Sequence, residues 1–130
     1  MAQCLALPSE GRKLLEELDP IEDFATDLTR RAATHLRAHL DSPNEALPAE
    51  DEELRALIAE LTVRAAELHP SRAALEADAL TLDLLHLERR ITAARGSGDV
   101  AALVARREEL RHRRDLAIDR AMAETERVGR

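Results

Sequence analysis

His35 and His39 stand four residues apart in the stretch HLRAH. On a helix that spacing brings two imidazoles to one face, an arrangement able to hold zinc. A catalytic zinc helix of this kind carries a glutamate directly after its first histidine, and here Leu36 fills that position. No third ligand is evident, and Cys4, the single cysteine, provides neither a thiolate zinc site nor a disulfide within the chain. The pair reads as two half-exposed histidines beside an apolar stripe, so neither a metal nor a cofactor is expected.

The other reactive residue types also have structural explanations. Ser9, Ser42, Ser71 and Ser97 fall where helices start or the chain turns. Gly96-Ser97-Gly98 lacks the Lys-Thr or Lys-Ser that completes a phosphate-binding loop, and reads as the turn of a hairpin. Carboxylates stand at helix starts or among arginines at helical spacing, where solvated i,i+4 pairs are the default. No nucleophile, base and oxyanion site converge, so the sequence predicts no catalytic residue and no enzyme.

Ala and Leu supply 24 and 22 of the 130 residues, while Phe24 is the only aromatic. Straight-chain residues that lose little rotamer freedom in a helix dominate, which predicts an all-α chain. The net charge of −7 is uneven. Residues 1–70 carry 7 basic and 15 acidic side chains, whereas 71–130 carry 12 and 11. Neither half has the basic excess or the stacking aromatics of a nucleic-acid binder, and no direct nucleic-acid contact is expected. The longest uncharged run, 1–9, is too short for a bilayer and lacks a basic start, so no membrane association and a cytoplasmic location are expected.

The elements that carry these residues follow from apolar spacing. CLALPSEGRKLLEEL reads as the last turn of one helix, a break at Pro8 and a second helix capped by Ser9, which implies further residues upstream. Asp19-Pro20 ends that second helix. Leu28, Ala32, Leu36 and Leu40 recur every fourth residue and predict a helix from about Thr26 to Asp41, with Phe24 as a core anchor. After a loop from Asp41 to Pro48, the residues Leu54, Leu57, Ile58, Leu61, Ala65 and Leu68 mark another helix, with Glu50 to Glu53 at its dipole-favoured start.

His69-Pro70-Ser71 is the strongest boundary, because proline cannot continue the preceding helix and serine caps the next. The sequence therefore predicts a small helical bundle over 1–70 and a long helical hairpin over 71–130. The first arm, about Ser71 to Ala94, has a seam at Leu80, Leu84, Leu87 and Ile91 and a second apolar line at Leu75, Leu82 and Leu85. The returning arm, about Asp99 to Glu126 with Asp99 as cap, interleaves Val100, Leu103, Val104, Leu110, Leu116, Ala117 and Ile118 with five arginines from Arg106 to Arg114. A hairpin so charged is marginal alone, since helix stability comes mostly from packing an apolar face, and it is expected to lean on something else.

The stretches CLALPSEGRKLLEELDPIEDFATDLTRRAATHLRAHL, DEELRALIAELTVRAAEL and LLHLERRITAARGSGDVAALVARREELRHRRDLAIDRAM together resemble the C-terminal domain of bacterial DNA primases of the DnaG type. The matching features are the break after Leu5 to Pro8, Phe24 with Leu28, the helix of Leu54 to Leu61, and a long L-x-x-L-x-R-x-I helix. That last pattern falls on Leu84, Leu87, Arg89 and Ile91, followed by a return helix bearing Leu103, Leu110 and Ile118. The resemblance rests on the order and spacing of helices and spans nearly the whole chain. It implies a noncatalytic domain that binds and stimulates the replicative DNA helicase, recruiting primer synthesis to the replication fork. In that picture the hairpin docks on the N-terminal domains of the helicase hexamer and the bundle stimulates it. The zinc-binding and polymerase parts of such primases are absent from this sequence.

By that resemblance Ile91, Val100, Leu103, Val104, Leu110 and Ile118 are a mixture of seam and helicase-contact residues, and Arg95, Arg107, Arg111 and Arg114 are polar anchors around them. Alone, the chain is expected to be a monomer or a hairpin-swapped dimer. The alternative is the N-terminal helical domain of the replicative helicase, a ring-forming structural module that also pairs a bundle with a hairpin.

Overall fold

The computed structural model describes residues 1–96 and 100–129. It is all-α, with seven helices and no strand among the described residues: α1 (Ala2–Ala6), α2 (Pro8–Glu17), α3 (Pro20–Asp23), α4 (Asp27–His39), α5 (Glu52–Glu67), α6 (Arg72–Ala93) and α7 (Val100–Val128). The chain divides into two compact units, Met1–Arg72 and Ala73–Arg130. No described helix is long and apolar enough to cross a membrane.

In the first unit, α1 packs on α2 and α5, and α4 packs on α2, α3 and α5. The core is aliphatic. Leu36 and Ile58 are its largest fully buried side chains, joined by Cys4, Leu15, Phe24, Ala32, Leu40 and Leu54. Gly11 on α2 lies so close to α1 that an added Cβ would stand 2.4 Å from the Cys4 carbonyl oxygen, so only glycine fits that crossing.

Helix starts explain the local folding. Asp19 caps α3 through Oδ1, which accepts from the Ile21 amide at 2.9 Å, while the Asp23 carboxylate accepts from the Asp19 amide at 2.8 Å. This one-turn helix, absent from the spacing pattern, fills the break at Asp19-Pro20. Thr26 caps α4 by accepting from the Thr29 amide, and Asp51 caps α5 by accepting from Leu54. One expected cap is corrected. α2 begins at Pro8, with Leu7 at the N-cap and no side-chain cap, and Ser9 lies inside the first turn. Proline has no amide hydrogen to satisfy and a pre-set φ, so the helix starts two residues earlier than a serine cap would place it.

The second unit is a hairpin of α6 and α7. Ala77, Leu80, Leu84, Leu87 and Ile91 of α6 form one core cluster with Leu110 and Ala117 of α7, and Val100, Leu103 and Val104 pack against it. Two ion pairs across the arms, Arg111 to Glu88 at 3.3 Å and Arg120 to Glu76 at 2.9 Å, run in opposite chain directions and fix an antiparallel register. Gly96 ends the first arm with φ of +110, a left-handed conformation that favours glycine. Ser97, Gly98 and Asp99, assigned to the turn and to a cap, lie outside the described residues.

Candidate functional site

Burial along α7 recurs with steps of four and three. Leu103, Arg107, Leu110, Arg114, Ala117 and Ala121 are all partly or fully buried, and they occupy the positions of a heptad seam. Arginine thus alternates with leucine in the line that faces α6. Arg107 keeps 25% of its side chain exposed and Arg114 33%, as expected when an aliphatic stem lies along apolar neighbours and the charged head reaches outward.

The heads find carboxylates within the hairpin. Glu88 on α6 receives Arg107 at 3.7 Å and Arg111 at 3.3 Å. Glu108 binds the same two arginines at 3.2 and 3.0 Å, while Arg114 pairs with Asp115 at 2.8 Å. Three of the four expected polar anchors are therefore committed to the hairpin itself. The fourth, Arg95, is exposed beside Gly96 at the end of the first arm.

The expected apolar residues divide by exposure. Ile91 and Leu110 are buried in the seam, and Val100, Leu103 and Val104 are half-buried against it. Ile118 lies one residue past Ala117 and turns away from the seam, 40% exposed. Leu116 at 49%, Met122 at 60% and Leu85 at 52% are also exposed. Of the second line on α6, Leu75 is buried and Leu82 is half-buried.

Around Ile118 the structure brings together residues that the apolar pattern passed over. Ala74, Ala77 and Asp78 of α6 and Ile118, Ala121, Met122, Thr125 and Glu126 of α7 line a groove of about 480 Å³ at the end of the hairpin away from the turn. Ile118, Ala121, Met122 and Thr125 are spaced i, i+3, i+4, i+7, which was the available signal. Alanine's small contribution to apolar contrast hid it.

In the first unit, the rings of His35 and His39 are stacked with centroids 4.9 Å apart. His35 Nε2 lies 2.7 Å from the Pro43 carbonyl oxygen, which can only accept, so this nitrogen carries the proton and ties α4 to the following turn. Among the described residues no group of three His, Cys, Asp or Glu side chains is placed to hold a metal.

Arg31 gathers three carboxylates, with Asp27 at 2.8 Å, Glu53 at 3.4 Å and Asp51 in close contact. Asp51 is held below the usual carboxylate range, first by its hydrogen bond from Arg31 and then by that from the Leu54 amide. Arg31 in turn is raised above its ordinary value, chiefly by Asp51 and then by Asp27. A groove of about 620 Å³ beside this cluster is lined by Pro20, Ile21, Arg30, His35, Ala46 and Pro48, among others. Its arginines already serve the fold, since Arg30 Nε donates to the Phe24 carbonyl at 2.8 Å.

No family model matches this chain, and no curated protein or solved structure matches it either.

Proposed function

We propose that this chain is a noncatalytic protein-interaction module that acts as the helicase-binding domain of a bacterial DNA primase, bringing primer synthesis to the replicative helicase. The observation that carries the interaction reading is the exposed pair Ile118 and Met122, one turn apart on α7, on a hairpin whose own seam is already filled. Large apolar side chains clustered at a surface and rimmed by charge are what a protein partner can bury. The primase assignment rests on the order and spacing of helices quoted above, a bundle followed by a long L-x-x-L-x-R-x-I arm and an arginine-rich return.

In this reading the bundle is the helicase-stimulating part and the hairpin the docking part. The N-terminal domains of the helicase hexamer are the partner, without a cofactor and without direct contact to nucleic acid. Light scattering on a size-exclusion column tests it, with the chain alone and then mixed with the replicative helicase hexamer of the same organism. A monomer, or a hairpin-swapped dimer, that shifts onto the hexamer is the expected result. Self-assembly into a ring that ignores the hexamer would transfer the assignment to the helicase N-terminal domain, and a monomer that ignores it would remove the primase assignment.

A further inference from the structure

The seam of α7 runs out into alanine at Ala117 and Ala121, but the apolar character of the helix does not. Ile118 and Met122, 40% and 60% exposed, stand as the walls of the groove on α7, with Ala74, Ala77 and Ala121 as its small-residue floor. Two antiparallel helices leave a furrow parallel to their axes, and the shape that fills such a furrow is a third helix. Alanines on the floor let its backbone approach to the short end of the usual interhelical spacing, about 8 Å.

Charge narrows the occupant. Asp78 and Glu126 stand in the groove lining, and no basic side chain is among its described lining residues. The nearby cation Arg120 is engaged by Glu76 at 2.9 Å. The groove is therefore apolar with an acidic edge. A second copy of this chain offers a poor match, because its own stretch 118–126, which bears Ile118 and Met122, carries Asp119, Glu124 and Glu126 against Arg120 alone.

We propose that this groove receives an amphipathic α-helix of a partner protein, with large aliphatic side chains on the alanine floor and Lys or Arg side chains facing Asp78 and Glu126. The proposal rests on the interaction-module reading above for the class of ligand, and adds the place and the charge of what binds.

Two labelled helical peptides of about five turns, with leucines at i, i+3, i+4, i+7 and flanks of either lysine or glutamate, are titrated with the full chain by fluorescence anisotropy. The lysine-flanked peptide is expected to bind at least roughly tenfold more tightly than the glutamate-flanked one. The double variant Ile118→Ser/Met122→Ser, altered only at exposed positions, is expected to weaken it by roughly tenfold or more. Val63→Ser, exposed on α5 of the other unit, should leave peptide binding unchanged, and Asp78→Asn/Glu126→Gln should remove the preference for lysine. In ¹³C-methyl spectra the Met122 signal should move with peptide and stay fixed on dilution of the chain alone.

Equal binding of both peptides, no binding of either, or indifference to the double serine variant overturns the proposal. A Met122 signal that moves with chain concentration overturns it in favour of a second copy. If the double serine variant still shifts onto the helicase hexamer while the peptides do not bind, the groove proposal fails and the module reading stands. Peptide binding without hexamer binding separates the two the other way.

Discussion

The two units of this chain solve the burial problem differently. In Met1–Arg72 the helices are short, several starts are capped by side chains, and Leu36 and Ile58 are removed from solvent altogether. In the hairpin, α7 is 29 residues long yet has only Leu110 and Ala117 buried among its described side chains, while arginines occupy two of its seam positions. The bundle core is aliphatic and well buried, and the large apolar residues that unit leaves exposed are Ile21 and Val63. A seam with arginine stems at two of its six positions leaves large apolar residues on other faces, and these define where a partner can add burial.

The sharpest way to break this contrast is at the tightest contact of the bundle. Gly11→Ala would drive a Cβ to 2.4 Å from the Cys4 carbonyl, and a backbone atom cannot yield as a side chain can. A loss of about 3 kcal/mol or more is expected in urea unfolding. Wild-type stability in this variant would mean that α1 does not pack as described.

Deleting matched leucines compares the two cores directly. Leu36→Ala is expected to cost about 3 to 5 kcal/mol, because its surroundings are rigid and fully buried. Leu110→Ala, flanked in the seam by Arg107 and Arg114 whose flexible stems can close over the gap, is expected to cost about 2 kcal/mol. Equal costs measured by denaturant unfolding would contradict the view that the hairpin is the softer unit.

Much of this architecture was legible in the sequence. The repeat of Leu28, Ala32, Leu36 and Leu40 and that of Leu54 to Leu61 located α4 and α5, and Pro70 lies two residues from the division between the units. The heptad of α6 was equally plain, since Leu80, Leu84, Leu87 and Ile91 are all large and apolar. The seam of α7 was harder to see because it runs through Arg107 and Arg114, which a search for apolar residues discards. Ile118 stood among residues read as a mixture of seam and contact positions, and the structure turns it outward while its neighbour Ala117 takes the seam phase. The one-turn helix α3 is set by capping at Asp19, a local hydrogen-bond pattern too short for periodicity to reveal.

Smaller effects sharpen the electrostatic side of the comparison. Glu88→Gln removes the carboxylate that Arg107 and Arg111 share across the hairpin. These groups are partly exposed, so a loss of no more than about 1 kcal/mol is expected at low salt, and it should shrink as added salt shortens the screening length below about 10 Å. A salt-independent loss would point to packing in place of charge.

In the bundle, the lowered Asp51 carboxyl gives a pH dependence of definite sign. Its contribution is present above the ordinary carboxylate value near 3.8 and is lost as pH falls through the lower folded value. Asp51→Asn keeps an N-cap acceptor for Leu54 but removes the Arg31 pair. Urea midpoints measured below pH 3.8 should therefore fall less steeply for the variant than for the wild type. Identical slopes would mean that the Arg31 cluster does not couple to stability.

Amide hydrogen exchange, followed on the chain alone and again with the replicative helicase hexamer, tests the central claim most directly. Low protection in the last three turns of α7 that rises on binding, with α4 and α5 strongly protected throughout, is the predicted result. Protection in α7 already equal to that of α4 in the free chain, or a rise confined to the bundle, would contradict it.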